Sequence, residues 1–152
     1  FKVGRLEEKR SLRGCEYGEV IFGGCQVPAE NRLGEEGEGL RIVMEAVSEY
    51  GRSGVSAVGL GIISGCLQVA AEFARERVVG GKPIIEYRQI KEHVQEIEKI
   101  YRRALEFLLV ACRMVDEGGR ADRELALAKK ECSEGAFRSA GLAGEVLGGA
   151  AI

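Results

Sequence analysis

The sequence predicts a mainly α protein, an up-and-down four-helix bundle preceded by a short β segment. Three observations predict it. Near Leu40 the apolar residues change from short, turn-punctuated runs to the three- and four-residue spacing of helices. That spacing persists through long later stretches with polar residues on the opposite face. Glycine pairs at Gly80-Gly81, Gly118-Gly119 and Gly148-Gly149 close those stretches.

Taken in order, residues 1–34 form the β part and residues 35–152 the helical domain. Glu19 to Phe22 and Cys25 to Val27 read as strands separated by Gly23-Gly24, with Pro28 marking the exit from the second. Gly34 to Gly39 has its glycines in the wrong order for a phosphate cradle and carries three carboxylates, so it reads as a flexible, acidic approach to a helix. Leu40, Val43, Met44 and Val47 then mark one helix face, and Val55, Val58, Ile62, Val69 and Phe73 the next. A third helix is expected from about Ile85 to Val115. Ile90, Val94, Ile97, Tyr101, Leu105, Leu108 and Cys112 form its apolar stripe, opposite Lys91, Glu92, Glu96, Lys99 and Arg103. The fourth runs from Asp122, read as an N-cap, to Leu147.

Composition removes several classes of function. At 152 residues the chain has the size of one domain, able to bury roughly two thirds of its unfolded surface. Its 22 basic and 24 acidic residues are interspersed, which leaves no electrostatic footprint for nucleic acid. The apolar stretch from Val55 to Ala71 is interrupted by Ser56, Ser64 and Gln68, so no membrane span is expected. Five cysteines without a C-x-x-C pair or a secretory signal point to a reducing cytoplasm rather than a disulfide framework. A chain that starts at Phe1 rather than Met is compatible with a piece of something longer.

Few residues offer chemistry by themselves. His93 is the single histidine, and Ile90 stands three before it, so the paired Glu-x-x-His of a di-iron bundle is excluded. It reads as a rim residue of its helix. Gly59-Leu60-Gly61-Ile62-Ile63-Ser64-Gly65 departs from a dinucleotide fingerprint at Ser64 and has no strand before it. Glycines inside a helix are better explained there by close packing of another backbone. No metal cluster and no nucleophile with an adjacent base stands out.

The motifs in sequence nevertheless resemble a known family. Leu12-Arg13-Gly14-Cys15, Val20-Ile21-Phe22, Val27-Pro28-Ala29-Glu30-Asn31-Arg32-Leu33-Gly34 and Gly37-Glu38-Gly39-Leu40 look like the junction between the β domain and the C-terminal helical domain of acyl-CoA dehydrogenases. The likeness continues through Glu49-Tyr50-Gly51-Arg52, Leu60-Gly61-Ile62, Ala74-Arg75-Glu76-Arg77, Gly81-Lys82-Pro83-Ile84, Ala128-Lys129 and Leu147-Gly148-Gly149. The fold expected from it is the bundle of that C-terminal domain.

The resemblance implies a flavoprotein of fatty acid metabolism, an oxidoreductase that desaturates an acyl-CoA thioester between its α and β carbons. FAD accepts the hydride, and the electrons pass to an electron-transferring flavoprotein. It further implies a homo-oligomer, dimer or tetramer, in which these helices line the substrate cleft and touch the FAD of a neighbouring subunit. By the same resemblance Glu49 and Arg52 lie along the acyl-CoA site, and Arg77 contacts the FAD diphosphate. Gly148 and Gly149 let backbone approach the cofactor closely.

Four departures fall on flavin-facing positions. Gly80 replaces a phenylalanine, Arg88 and Glu145 each replace a glutamine, and Ala151-Ile152 replaces a glycine followed by an aromatic. Arg88 and Glu145 therefore remain cofactor-site candidates, expected to lie near each other. The family's usual catalytic glutamate falls beyond Ile152, and its alternative position holds Gly51, so no catalytic residue is assigned. The alternative reading is a catalytically silent helical oligomerisation or acyl-CoA-binding module that has lost FAD binding.

Overall fold

In a computed structural model that describes residues 1–152, the chain separates into two units, Phe1–Gly39 and Leu40–Ile152. The division falls a few residues beyond the expected one. In the first unit, strand β1 (Lys2–Leu6) pairs antiparallel with β2 (Gly18–Ile21), with Lys2 opposite Ile21 and Val3 opposite Val20. The expected strand at Cys25 to Val27 does not form. Those residues lead through Pro28 into a 3-10 turn at Ala29–Asn31, because proline has no N–H to give a ladder. β2 finds its partner upstream instead. A two-stranded ribbon buries little on its own, and Val3, Val20 and Ile21 all remain exposed.

The second unit is built from three long helical runs. Helix α1 (Gly39–Ala46) passes through a π turn at Val47–Gly51 directly into α2 (Arg52–Glu76), so the first two expected helices are continuous. Helices α3 (Arg88–Asp116) and α4 (Asp122–Leu147) follow close to the expected bounds. Gly118 at φ +76° makes the turn between them.

The stretch after α2 is a β-hairpin rather than a doubled helix stop. Strand β3 (Val78–Val79) pairs with β4 (Lys82–Pro83). Gly80 and Gly81 are the two loop residues, at φ +60° and +83°, the positive pair that a type I′ turn demands. Tyr87 closes over this turn. Its hydroxyl donates to the Val79 carbonyl at 2.9 Å, and the Lys82 ammonium lies 4.5 Å from its ring centre. A Cβ on Gly80 would stand 2.7 Å from the Tyr87 oxygen, so glycine here leaves room for Tyr87 to close over the turn.

The core is rich in alanine. Ile63, Ala70 and Ala74 of α2 meet Ile97, Ala104, Leu108 and Ala111 of α3 and Leu125, Ala128, Cys132, Ala136, Ala143 and Val146 of α4. Small residues let the helix axes come close, and α2 comes closest at Gly59. A Cβ there would lie 2.9 Å from the Cys132 carbonyl oxygen. Close packing of Gly59 is thus as expected, whereas Gly61 and Gly65 have open space where a side chain would go. The stripe Val55, Val58, Ile62 and Val69 faces outward, with exposures of 47–53%. The buried face of α2 is instead Ser56, Gly59, Ile63, Ala70, Ala71 and Ala74, all but Ile63 small enough for that approach.

The run Gly39–Glu76 is, by length and composition, long and apolar enough to cross a membrane, contrary to the expectation from its interrupting polar residues. One face of it packs into the bundle against α3 and α4, as a core helix does.

Two substitutions test the α2–α4 approach against ordinary helix propensity. Gly59→Ala should lower stability by about 1–3 kcal/mol through overpacking against Cys132, whereas Gly61→Ala should raise it by up to about 1 kcal/mol. Urea unfolding of the two variants beside the parent reads both signs.

Candidate functional site

The candidate residues gather at the two ends of α2. At its start, the π turn carries Ser48 and Glu49 and delivers Arg52 into the first turn of the helix. Two serines take up backbone carbonyls here. Ser53 donates to the Glu49 carbonyl and Ser56 to that of Arg52, at 2.6 Å, and such back-bonding bends a helix. A third, Ser48, is 6% exposed, and its hydroxyl donates to Asp122 Oδ1 at the start of α4. Arg52 Nη1 donates to the Ser48 oxygen at 2.9 Å and lies 3.9 Å from the Asp122 carboxylate. Arg120 completes the group with contacts of 2.9 and 3.2 Å to Asp122 Oδ2. Beside it is a cavity of about 130 Å³ lined by Glu45, Ser48, Glu49, Arg120 and Asp122.

Asp122 does not act as a helix cap, contrary to its sequence reading. It is the first residue of α4, the cap position belongs to Ala121, and no side chain caps the helix. Its carboxylate is engaged by Ser48, Arg120 and Arg52 instead. The Ser48 hydroxyl, followed by the Arg120 hydrogen bond, holds the Asp122 carboxyl below its ordinary range.

At the other end of α2, Arg77 is the C-cap residue, and its backbone N–H bonds to the Phe73 carbonyl. Its side chain is exposed and makes no ion pair within the chain. α4 ends nearby in the sense of the bundle, since α2 and α4 start together at Arg52 and Asp122 and run parallel. Gly148 breaks α4 at φ 56°, ψ −130°, and neither Gly148 nor Gly149 has any atom over the place of a side chain. The expected proximity of Arg88 and Glu145 is replaced by two separate pairs. Arg88 Nε donates to Glu92 at 2.7 Å on its own helix, which holds the Glu92 carboxyl below its usual range. Glu145 Oε2 lies 3.1 Å from His93 Nε2 across the α3–α4 interface.

A wider cleft of about 340 Å³ between α3 and α4 is lined by Glu96, Lys99, Arg103, Glu131, Glu134 and Arg138. Its cations are already matched, Arg103 to Glu131 at 2.8 Å and Arg138 to Glu96 at 2.8 Å, so it holds little charge in reserve for a ligand. Glu49 and Arg52 therefore share one site, while Arg77, Arg88, Glu145, Gly148 and Gly149 belong to the opposite end. Sequence reasoning missed Ser48, Asp122 and His93 as members of these sites. Helical serines crowded with glycines around Gly51 are the one signal that could have exposed the first.

Fold and sites together define a helical-bundle domain that presents cations at both ends of a closely packed central helix. Residues 37–152 match the acyl-CoA dehydrogenase C-terminal domain. The chain belongs to the acyl-CoA dehydrogenase family. It is 34% identical over 149 residues to an acryloyl-CoA reductase (NADH) of Anaerotignum propionicum, covering 98% of this chain and 38% of that protein. It superposes on butyryl-CoA dehydrogenase from Megasphaera elsdenii with TM-score 0.95 and 32% identity, over 99% of this chain and 39% of that one. PigA with FAD and proline matches at TM-score 0.91 and 27% identity, again over 99% of this chain and 39% of that one. The chain spans about two fifths of the length of these relatives.

The Asp122 cluster makes stability depend on acid. A carboxyl held below its ordinary range contributes stability that is full above the unfolded-state pKa and is lost as pH falls through the folded-state value. Asp122→Asn should therefore flatten the acid limb of a plot of urea midpoint against pH below about pH 4. Glu92→Gln, which removes a second depressed carboxyl, should flatten it further.

Proposed function

We propose that this chain supplies the substrate-cleft and subunit-interface helices of an FAD-dependent enzyme that desaturates an acyl-CoA thioester between its α and β carbons. The observation that carries this reading is the division of the candidate residues between the two ends of α2. That helix has 25 residues, so Arg52 and Arg77, the residue just past its end, stand about 38 Å apart. A cofactor whose diphosphate rests on Arg77 cannot present its ring to a thioester beside Arg52 of the same chain. Two copies satisfy both contacts, each giving Arg77 to the cofactor that serves the other's cleft, which supports a homo-oligomer.

The residues at the Arg77 end fit a dinucleotide. An unpaired guanidinium suits phosphate oxygens, and the bare backbone of Gly148 and Gly149 leaves room for close approach. FAD when bound would supply the hydride acceptor at its N5. At the other end, Ser48 and Asp122 fix the Arg52 guanidinium so that its position does not have to be ordered when substrate arrives. Gly51 carries no proton acceptor, so none of the assigned residues removes the α proton. The second reading is a catalytically silent module that has lost FAD binding. An electron-transferring flavoprotein would be the electron acceptor under the first.

Addition of FAD and then, anaerobically, of butyryl-CoA to the purified protein separates the two. Bound flavin whose absorbance bleaches supports dehydrogenation, and butyryl-CoA bound without flavin supports the silent module. Arg77→Gln should weaken FAD binding about tenfold to a hundredfold in a fluorescence titration, the loss of a charged hydrogen bond worth about 1.5–3 kcal/mol. Arg88→Gln should change it less, because Arg88 is already paired with Glu92.

A further inference from the structure

Glu145 is an odd residue for its place. It sits in the last turn of α4, where the helix dipole presents its negative end and a carboxylate is disfavoured. It also stands where a flavin diphosphate would add more negative charge under the proposed function. Yet the carboxylate is not idle, for it reaches across to His93 of α3 at 3.1 Å. His93 is 19% exposed as a side chain, and its Nε2 is closed off from solvent with no aligned hydrogen-bond acceptor. The contact is thus one of proximity between the carboxylate oxygen and the ring nitrogen. Of the carboxylates near His93 on its own helix, Glu92 is taken by Arg88 and Glu96 by Arg138 and Lys99.

Three residues after Glu145 the helix breaks at Gly148, whose N–H bonds to the Gly144 carbonyl. The turn held by His93 is therefore the turn from which Gly148-Gly149 departs. Glycine at positive φ has many alternative conformations, so a defined exit needs a fixed last turn. We propose that Glu145 is a positioning residue: through His93 it anchors the end of α4 to α3 and sets the Gly148-Gly149 backbone for the cofactor, without touching the cofactor itself. The flavin part of this proposal rests on the proposed function.

Amide hydrogen exchange on the full chain without added flavin tests the anchor. Glu145→Ala and His93→Ala should each speed exchange of the Gly148 amide about tenfold or more relative to Leu125 at the far end of α4. The double variant should be no faster than the faster single variant, as expected for two ends of one contact. Glu145→Gln, which keeps an acceptor oxygen of the same reach, should stay within about threefold of the parent. An unchanged Gly148 amide, or effects that multiply in the double variant, overturns the proposal. So does a loss of FAD affinity in Glu145→Ala with exchange unchanged, which would show direct contact with the cofactor. Failure of the parent protein to bind FAD refutes the functional reading instead, and the exchange comparison still decides the anchor.

Discussion

The distance between α2 and α4 governs the rest of the bundle. Gly59 rests on the backbone of Cys132 with no room for a single methyl group, and this contact fixes both the separation of the two helices and their offset along the axis. With that offset, Ser48 and Arg52 at the start of α2 reach Asp122 at the start of α4. α3 then closes the third side with Ile97, Ala104, Leu108 and Ala111. Gly135 repeats the device one turn further along α4, where a Cβ would meet Ile100 at 2.8 Å and Ile63 at 3.1 Å. A core made of alanine and glycine buries little apolar area per residue, so its stability comes from close fit more than from side-chain size.

Much of this is legible in the sequence, and the failures have physical causes. The spans of α3 and α4 follow from a clear apolar stripe and from Gly118 and Gly148 at their ends. α2 is placed correctly by its periodicity but turned the wrong way, because the large apolar residues Val55, Val58, Ile62 and Val69 imitate an inner face. Where a helix must come within backbone contact, the inner face belongs to Ser56, Gly59 and Ala70, which carry almost no hydrophobic signal. The hairpin at Val78–Pro83 is invisible because two-residue strands are too short to show alternation.

The site divides in the same way. Arg77, Arg52 and the glycines after Leu147 emerge from motifs that keep their order along the chain. Ser48 with Asp122, and His93 with Glu145, are pairs made only when distant segments meet across helix interfaces, and no local pattern announces them. Glu145 stands out by its unusual charge, but the partner expected for it, Arg88, prefers a residue one turn away on its own exposed helix face. A short-range ion pair on one helix needs less ordering than one across an interface.

The π turn at Val47–Gly51 carries a further geometric consequence. Counted at 3.6 residues per turn, Leu40, Val43 and Val47 and the later Val55, Val58, Ile62 and Val69 fall within one broad face of about 120°. The extra residue taken up by the π turn shifts one set against the other by about 100° about the helix axis. Both sets remain apolar side chains on the outside of the bundle, each about half exposed or more.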